Sequence, residues 1–243
     1  MPTRNEIERF VRDFLEDQVR SQNDIWVALY LLLLDYVHGV PRITDANRLK
    51  EGVWRGRALS VQRELALALG YQEEQVKEHL DQLMRRIYAP NTQKMNPVGI
   101  AFAVAIVYLI QKFAHGSYHW HLEARIGTDV FPSLANFRRK SVDIVAFREN
   151  DLYAVISSKW GIRHDRIRDP QEEADTYKVQ VPAVKFYLVT NEFDNARLQK
   201  VLNYPTIDGV FHVKRDLVWQ VYGQSAESLR GLRDLTELFP LFP

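Results

Sequence analysis

An α/β (α+β) protein with an all-helical N-terminal region is the fold that the sequence predicts. Three observations carry this. Before about residue 115, apolar residues recur at helical spacing. After residue 116 they gather into short β-type runs. Two of those runs, Ser141 to Phe147 and Leu152 to Ser158, are separated only by Arg148-Glu149-Asn150-Asp151, which is a hairpin signal. The expected division is residues 1–115, helical, and residues 116–243, α/β, with no repeat, low-complexity tract or Gly-rich linker between them.

Each element has its own local reason. Ile7, Phe10, Val11, Phe14 and Leu15 form one face of a helix from Glu6 to Val19. Asn23 or Asp24 caps an apolar helix from Ile25 to Val37, which Gly39-Val40-Pro41 ends. Leu59 to Leu69 and Glu73 to Tyr88 make a helical pair broken at Gly70. Pro97 opens a helix to about Phe113, stopped by Gly116. His119 to Ile126 reads as a further helix. Beyond the hairpin, Ala183 to Thr190 is an apolar run of strand length, Asp194 to Leu202 a helix, Gly209 to Val213 a strand, and Ala226 to Phe239 a helix or a segment ending in one.

Composition narrows the function classes. Thirty-two Lys+Arg against 31 Asp+Glu give a net charge of +1 over 243 residues, which excludes a sequence-blind polycation but not a local basic patch. With no cysteine, disulfides, thiolate catalysis and Cys-ligated metals are removed, and a reducing cytoplasm suits the chain. Met1 to Arg20 lacks the apolar stretch of a signal peptide. The apolar runs Ile25 to Leu34 and Val98 to Ile110 fall short of the roughly 20 residues needed to cross a bilayer. No membrane partner is expected.

The informative stretch runs from Ser141 to Glu173. Asp143 lies inside an apolar strand and Lys159 ends the next, so a hairpin can point both into one site. A charge on a buried strand costs free energy unless it is paired or metal-bound. A carboxylate beside a lysine is the arrangement that metal-assisted phosphodiester cleavage needs: the carboxylate holds Mg²⁺ and the lysine orients water. The plain alternative is a structural ion pair.

Asp143, followed fourteen residues later by Ser157-Ser158-Lys159, resembles the core of the PD-(D/E)XK nucleases, with Val142 in place of the proline and Ser157 in place of the second acid. One branch of restriction endonucleases, which recognises CCGG or CC and GG split by one base pair, has Ser-x-Lys and carries the missing carboxylate on the following helix. Its Arg, Asp, Arg and Glu, four, six, seven and fourteen residues after the lysine, match Arg163, Asp165, Arg166 and Glu173. The resemblance spans about Glu123 to Glu173. It implies a mixed sheet flanked by helices, and a Mg²⁺-dependent type II restriction endonuclease of a bacterial or archaeal cytoplasm. That enzyme would cut double-stranded DNA before the first C of a CCGG core and leave 5′ overhangs, with W/CCGGW the best guess for the site. Asp143 and Glu173 would hold the metal with a backbone carbonyl near Ser158. Lys159 would position water, Ser157 would stand at the vacated acidic position, and Glu123, on the preceding helix, would add to the metal's surroundings. Arg163, Asp165 and Arg166 would read the core. A palindrome calls for a two-fold homodimer, or a higher assembly built on it.

The spacing has a physical sense of its own. In a helix Arg163, Arg166 and Glu173 lie roughly on one face, with arginine matched to guanine O6 and N7 and Asp165 to the cytosine amino group. Pro170 requires that helix to begin near Ile167 to Asp169, leaving the arginines in the entering loop. His119 and His121, two apart on a helix, would not share a face. His164 and the basic run Arg138-Arg139-Lys140 are candidate phosphate contacts or plain exposed residues. Glu172 competes with Glu173 as a ligand. The helical pair Leu59 to Tyr88 can be read as a helix-turn-helix or as ordinary packing. Two other classes remain open: a repair or structure-selective nuclease of the same superfamily, which would not need the Arg163-Asp165-Arg166 set, and a non-catalytic DNA-binding regulator, against which the retained Asp143, Lys159 and Glu173 argue.

Overall fold

A computed structural model describes residues 4–20, 29, 72, 74–75, 78, 97–125, 141–162 and 166–243. The expected helices Ile25 to Val37 and Leu59 to Tyr88 fall almost entirely outside the described residues. By proximity the chain forms two compact units, Met1–Ala105 with Asp216–Ala226, and Ile106–Arg215 with Glu227–Pro243.

In the first unit, α1 (Arg4–Arg20) is amphipathic, and Ile7, Val11 and Leu15, one turn apart, are fully buried. The helix α2 (Pro97–Phe113) runs from this unit into the second. It is apolar all round and buried from Ile100 to Ile110, which explains an unbroken apolar run too short for a membrane. Among the described residues no helix is long and apolar enough to cross one.

The second unit is built on a six-stranded mixed sheet in the order β1-β2-β3-β4-β5-β6: β1 (His119–Arg125), β2 (Ser141–Arg148), β3 (Asp151–Lys159), β4 (Lys185–Thr190), β5 (Gly209–His212) and β6 (Leu232–Asp234). The first three strands pair antiparallel and β3 to β6 pair parallel. The switch at β3 follows from the connections. Two turn residues can join only antiparallel neighbours, whereas helices α3 (Asp169–Gln180) and α4 (Asn195–Leu202) supply the crossovers that parallel strands need. A bulge between Ala146 and Phe147 shifts the hairpin register, so Phe147 faces Leu152 while Ala146 faces Ala154.

The helix α3 packs on one face of the sheet. Ala174 and Tyr177 are fully buried against Val145, Val155, Val184 and Phe186. Asp208 pins the far end of this helix. Its Oδ2 accepts from Lys178 Nζ at 2.7 Å and from the backbone N–H of Phe186 at 2.8 Å, joining α3 to β4. Burial pushes the Asp208 carboxyl up, but Lys178, the Phe186 N–H and Lys185 together hold it below its ordinary value. On the opposite face, Tyr118, Trp120, Tyr153 and Tyr187 surround Phe242 with ring separations of 5.3, 5.3, 5.6 and 6.3 Å.

The hairpin, β4, α4 and β5 match the sequence reading, and α3 starts at Asp169 with Pro170 in its first turn, as Pro170 required. One expectation is corrected. His119 to Ile126 is not a helix: His119, His121, Glu123 and Arg125 are exposed while Trp120, Leu122 and Ala124 are turned inward, the two-residue period of a strand. Of the two readings of Ala226 to Phe239, a segment ending in a helix is the one that fits: a 3₁₀ segment (Gly223–Leu229) leads to β6, and a second 3₁₀ segment (Leu235–Leu241) ends it. Leu229, Leu232, Leu235 and Leu238 are all buried at a spacing of three, which these short elements satisfy as well as a helix does. Asp234 and Glu237 then start the last segment with a capping box.

Replacing Asp208 with alanine leaves a part-buried backbone N–H and Lys178 without their acceptor. The expected cost is about 1–3 kcal/mol in urea unfolding at neutral pH, and an unchanged midpoint would show that the clasp on α3 contributes nothing.

Candidate active site

The site forms where β2, β3 and the first turns of α3 meet. Extending the hairpin register from Ile144 opposite Ile156 puts Asp143 opposite Ser157, so Asp143, Ser157 and Lys159 share the face on which α3 packs. Asp143 Oδ2 accepts from Lys159 Nζ at 2.6 Å and from the backbone N–H of Ser158 at 2.8 Å. The ion pair is partly open, with the side chains 29% and 30% exposed, so solvent can reach it.

Glu173 enters from α3. Its Oε2 is buried and has no hydrogen bond among the described residues, although the side chain as a whole is only half-buried. Burial raises the Glu173 carboxyl to about 6. Lys159 opposes that rise, Asp143 and Asp169 add to it, and the nearby Ser157 hydroxyl favours the charged form. Glu172 is exposed, so Glu173 is the one of the two aimed inward. On Lys159, burial favours the neutral amine, but Asp143, Glu173 and Asp169 outweigh it and hold the lysine above its ordinary value. Lys159 is therefore a cation at neutral pH. One turn beyond Glu173, the buried Tyr177 keeps its proton, pushed up by burial and then by the Glu173 charge.

Asp169 was not singled out in the sequence. It stands one turn before Glu173 and acts electrostatically on both Lys159 and Glu173. The four-residue spacing on one helix face was the signal available for it.

The remaining predicted residues are placed as follows. Ser157 is fully buried and Ser158 is 7% exposed, and neither hydroxyl has a hydrogen bond among the described residues. Glu123, expected on a helix, lies on β1 with φ 52°, between Leu122 and Ala124, which pair with Ile144 and Val142, and its side chain is exposed. On this strand His119 and His121 do share a face, contrary to the helical reading, and the His121 ring meets Phe147 edge-on at 5.4 Å. Arg166 is exposed, just before α3. Arg163, Asp165, His164 and Arg138 to Lys140 lie outside the described residues.

The oxygens of Asp143 and Glu173 suit a hard divalent cation such as Mg²⁺. The Glu173 carboxylate loses solvation on burial, and a cation would offset that cost. Among the described residues no group of three or more His, Asp or Glu side chains is set to hold a metal. The two carboxylates would therefore be supplemented by backbone oxygen and water, as Mg²⁺ tolerates.

Comparison with known proteins bears on the fold. The restriction endonuclease PspGI, solved in a complex with substrate DNA, matches with a TM-score of 0.53 and 13% sequence identity over 98% of this chain and 91% of that chain. The mixed sheet flanked by helices is thus a fold shared with a restriction endonuclease. No family model and no curated protein matches the sequence.

Because the folded Glu173 titrates near 6 and an unfolded one near 4.5, its contribution to stability is full below pH 4.5 and lost as pH rises through 6. Glu173→Gln should therefore raise the metal-free stability above pH 6 by up to ~2 kcal/mol, with the gain shrinking towards pH 4.5. Melting curves across that range test this, and a variant less stable at pH 8 than the parent would contradict it.

Proposed function

We propose that the protein is a Mg²⁺-dependent type II restriction endonuclease cleaving double-stranded DNA. The observation that carries this reading is the meeting of Asp143, Lys159 and the inward-turned Glu173 on one face of a restriction-endonuclease fold.

Asp143 and Glu173 would hold Mg²⁺ together with a backbone carbonyl near Ser158. When bound, the ion supplies Lewis-acid polarisation of the scissile phosphate and a lowered pKa for water. Asp143 serves two partners through one oxygen, Lys159 and the Ser158 N–H, which fixes its carboxylate plane and leaves its other oxygen for a cation. Lys159, held protonated by three surrounding acids, acts as a positive hydrogen-bond donor that positions the attacking water and meets the phosphate charge, and not as a base. Ser157 keeps the vacated acidic position small and uncharged, so Glu173 can occupy that space from α3. Glu123 lies on β1 between the residues paired with Val142 and Ile144, the two chain neighbours of Asp143.

The specificity we propose is a palindrome with a CCGG core, W/CCGGW as the best guess, cut before the first C to leave 5′ overhangs. Arg163, Asp165 and Arg166 would read the core. Their position directly after β3 and before α3 supports this, because the same short stretch of chain joins them to Lys159 and to Glu173. Two equal strands call for a two-fold homodimer acting in the cytoplasm.

Incubating plasmid DNA with and without Mg²⁺ and sequencing the ends tests the reading. Discrete fragments ending at one palindrome are expected. Structure-selective nicking would point instead to a repair enzyme, and binding without cleavage to a regulator. Asp143→Ala should abolish cutting while sparing binding, and retained cutting would remove it from the metal site. Arg166→Ala should cost about 1–3 kcal/mol of discrimination at a guanine, read from the ratio of cleavage rates at matched and altered sites.

A further inference from the structure

We infer that Glu192 and Arg197 form a positioning clamp that fixes the root of the base-reading segment relative to Lys159, and so couples sequence reading to cleavage; this role rests on the nuclease reading. Glu192 follows β4 by two residues and is fully buried. Its Oε1 accepts from the backbone N–H groups of Phe193 and Asp194, each at 2.8 Å. Its Oε2 accepts from the Ile162 N–H at 2.8 Å and from Arg197 Nη1 at 3.3 Å. The same Arg197 nitrogen donates to the Ile162 carbonyl at 2.9 Å.

Both backbone polar groups of Ile162 are thus held by two side chains from the neighbouring segment. Just before it, the Trp160 carbonyl accepts from the Asn191 N–H at 3.1 Å. Ile162 lies three residues after Lys159 and directly before Arg163 in the chain. The clamp is itself anchored: the Glu192 N–H donates to the buried Thr190 Oγ1 at 3.1 Å, and the Arg197 N–H donates to the Asp194 side chain that caps α4.

Burying a carboxylate is costly, and a loop that needed only closing can be closed by backbone hydrogen bonds. A carboxylate that gathers three N–H groups and a guanidinium gives something backbone pairing does not, a charge-assisted fixed point with little angular freedom. It sits where the chain leaves the lysine and turns towards Arg163, Asp165 and Arg166. Reaction geometry tolerates little displacement, so a loosened root would uncouple a correctly read site from a correctly placed amine.

The test compares the parent with Glu192→Gln, which keeps the shape and loses the charge, and Arg197→Met, which removes the Ile162 carbonyl's donor. Arg197 is 23% exposed, so Arg197→Met carries the test should Glu192→Gln fail to fold. Each protein is incubated with Mg²⁺ and a duplex DNA library with a randomised central window, and cleavage rates are read for the preferred site and for sites altered by one base. Melting curves accompany them. The clamp requires kcat at the preferred site to fall on the order of 10- to 100-fold, KM for DNA to stay nearly level, and the preference over altered sites to shrink. A purely structural role lowers the melting temperature and the active fraction but leaves the ratio between sites unchanged, because that ratio does not depend on how much protein is folded. An unchanged ratio in the folded variants overturns the clamp and leaves the nuclease reading standing. A parent protein that cuts no DNA in Mg²⁺ overturns the nuclease reading, and the clamp's role with it.

Discussion

The register of the β2–β3 hairpin is the constraint on which the candidate site depends. With Ile144 opposite Ile156, Asp143 and Lys159 emerge on one face and meet at 2.6 Å. A slip by one residue would send Asp143 to the opposite face, where the aromatic cluster around Phe242 packs. Both sides of β3 hold the register. On one side it pairs with β2 through a bulge that absorbs the irregularity at Phe147, away from Asp143. On the other it runs parallel to β4 up to Lys159 opposite Thr190. The lysine is set by its pairing with β4, and the carboxylate is brought to it by β2, which pairs with both β1 and β3.

Around that pair, among the described residues, acidic side chains outnumber the basic one. Asp143, Glu173 and Asp169 act on one lysine, and burial, helped by Asp143 and Asp169, raises Glu173 to about 6 against the pull of Lys159. The helix that carries Glu173 is held in place by ordinary means, apolar packing of Ala174 and Tyr177 and the Asp208 clasp on Lys178. These supports tolerate the excess of negative charge, which would suit the divalent cation proposed for the site.

Much of this was legible in the sequence because the signals were local. The hairpin is announced by two apolar runs and a short polar turn, α4 by an aspartate that does cap it, and the start of α3 by Pro170. The segment from His119 to Arg125 was misread because its apolar residues alternate with two histidines, a glutamate and an arginine, a pattern whose two-residue period is short and easily taken for one helical turn. The C-terminal leucines left two readings open because a spacing of three fits several short elements, and only the pairing of Leu232 with Val210 selects a strand before the final helical segment. In the site, Asp143, Lys159 and Glu173 were legible by spacing. Asp169 and Glu192 were not. An acidic residue in a helix's first turn is usually a favourable end charge, and one after an apolar run usually faces water. Glu192 reaches Ile162, thirty residues earlier in the chain, a contact that no local pattern announces.

The edge strand β1 has a consequence for solubility. An outer strand offers unpaired amide and carbonyl groups as a template on which another chain can grow. Here the pairing passes from Leu122 opposite Ile144 to Ala124 opposite Val142, and Glu123 between them takes a left-handed backbone with an exposed carboxylate. A flat, continuous ribbon cannot extend past such a kink, and the charge repels an incoming apolar strand. Among the described residues, Glu123 thereby interrupts the edge on which open-ended polymerisation would build.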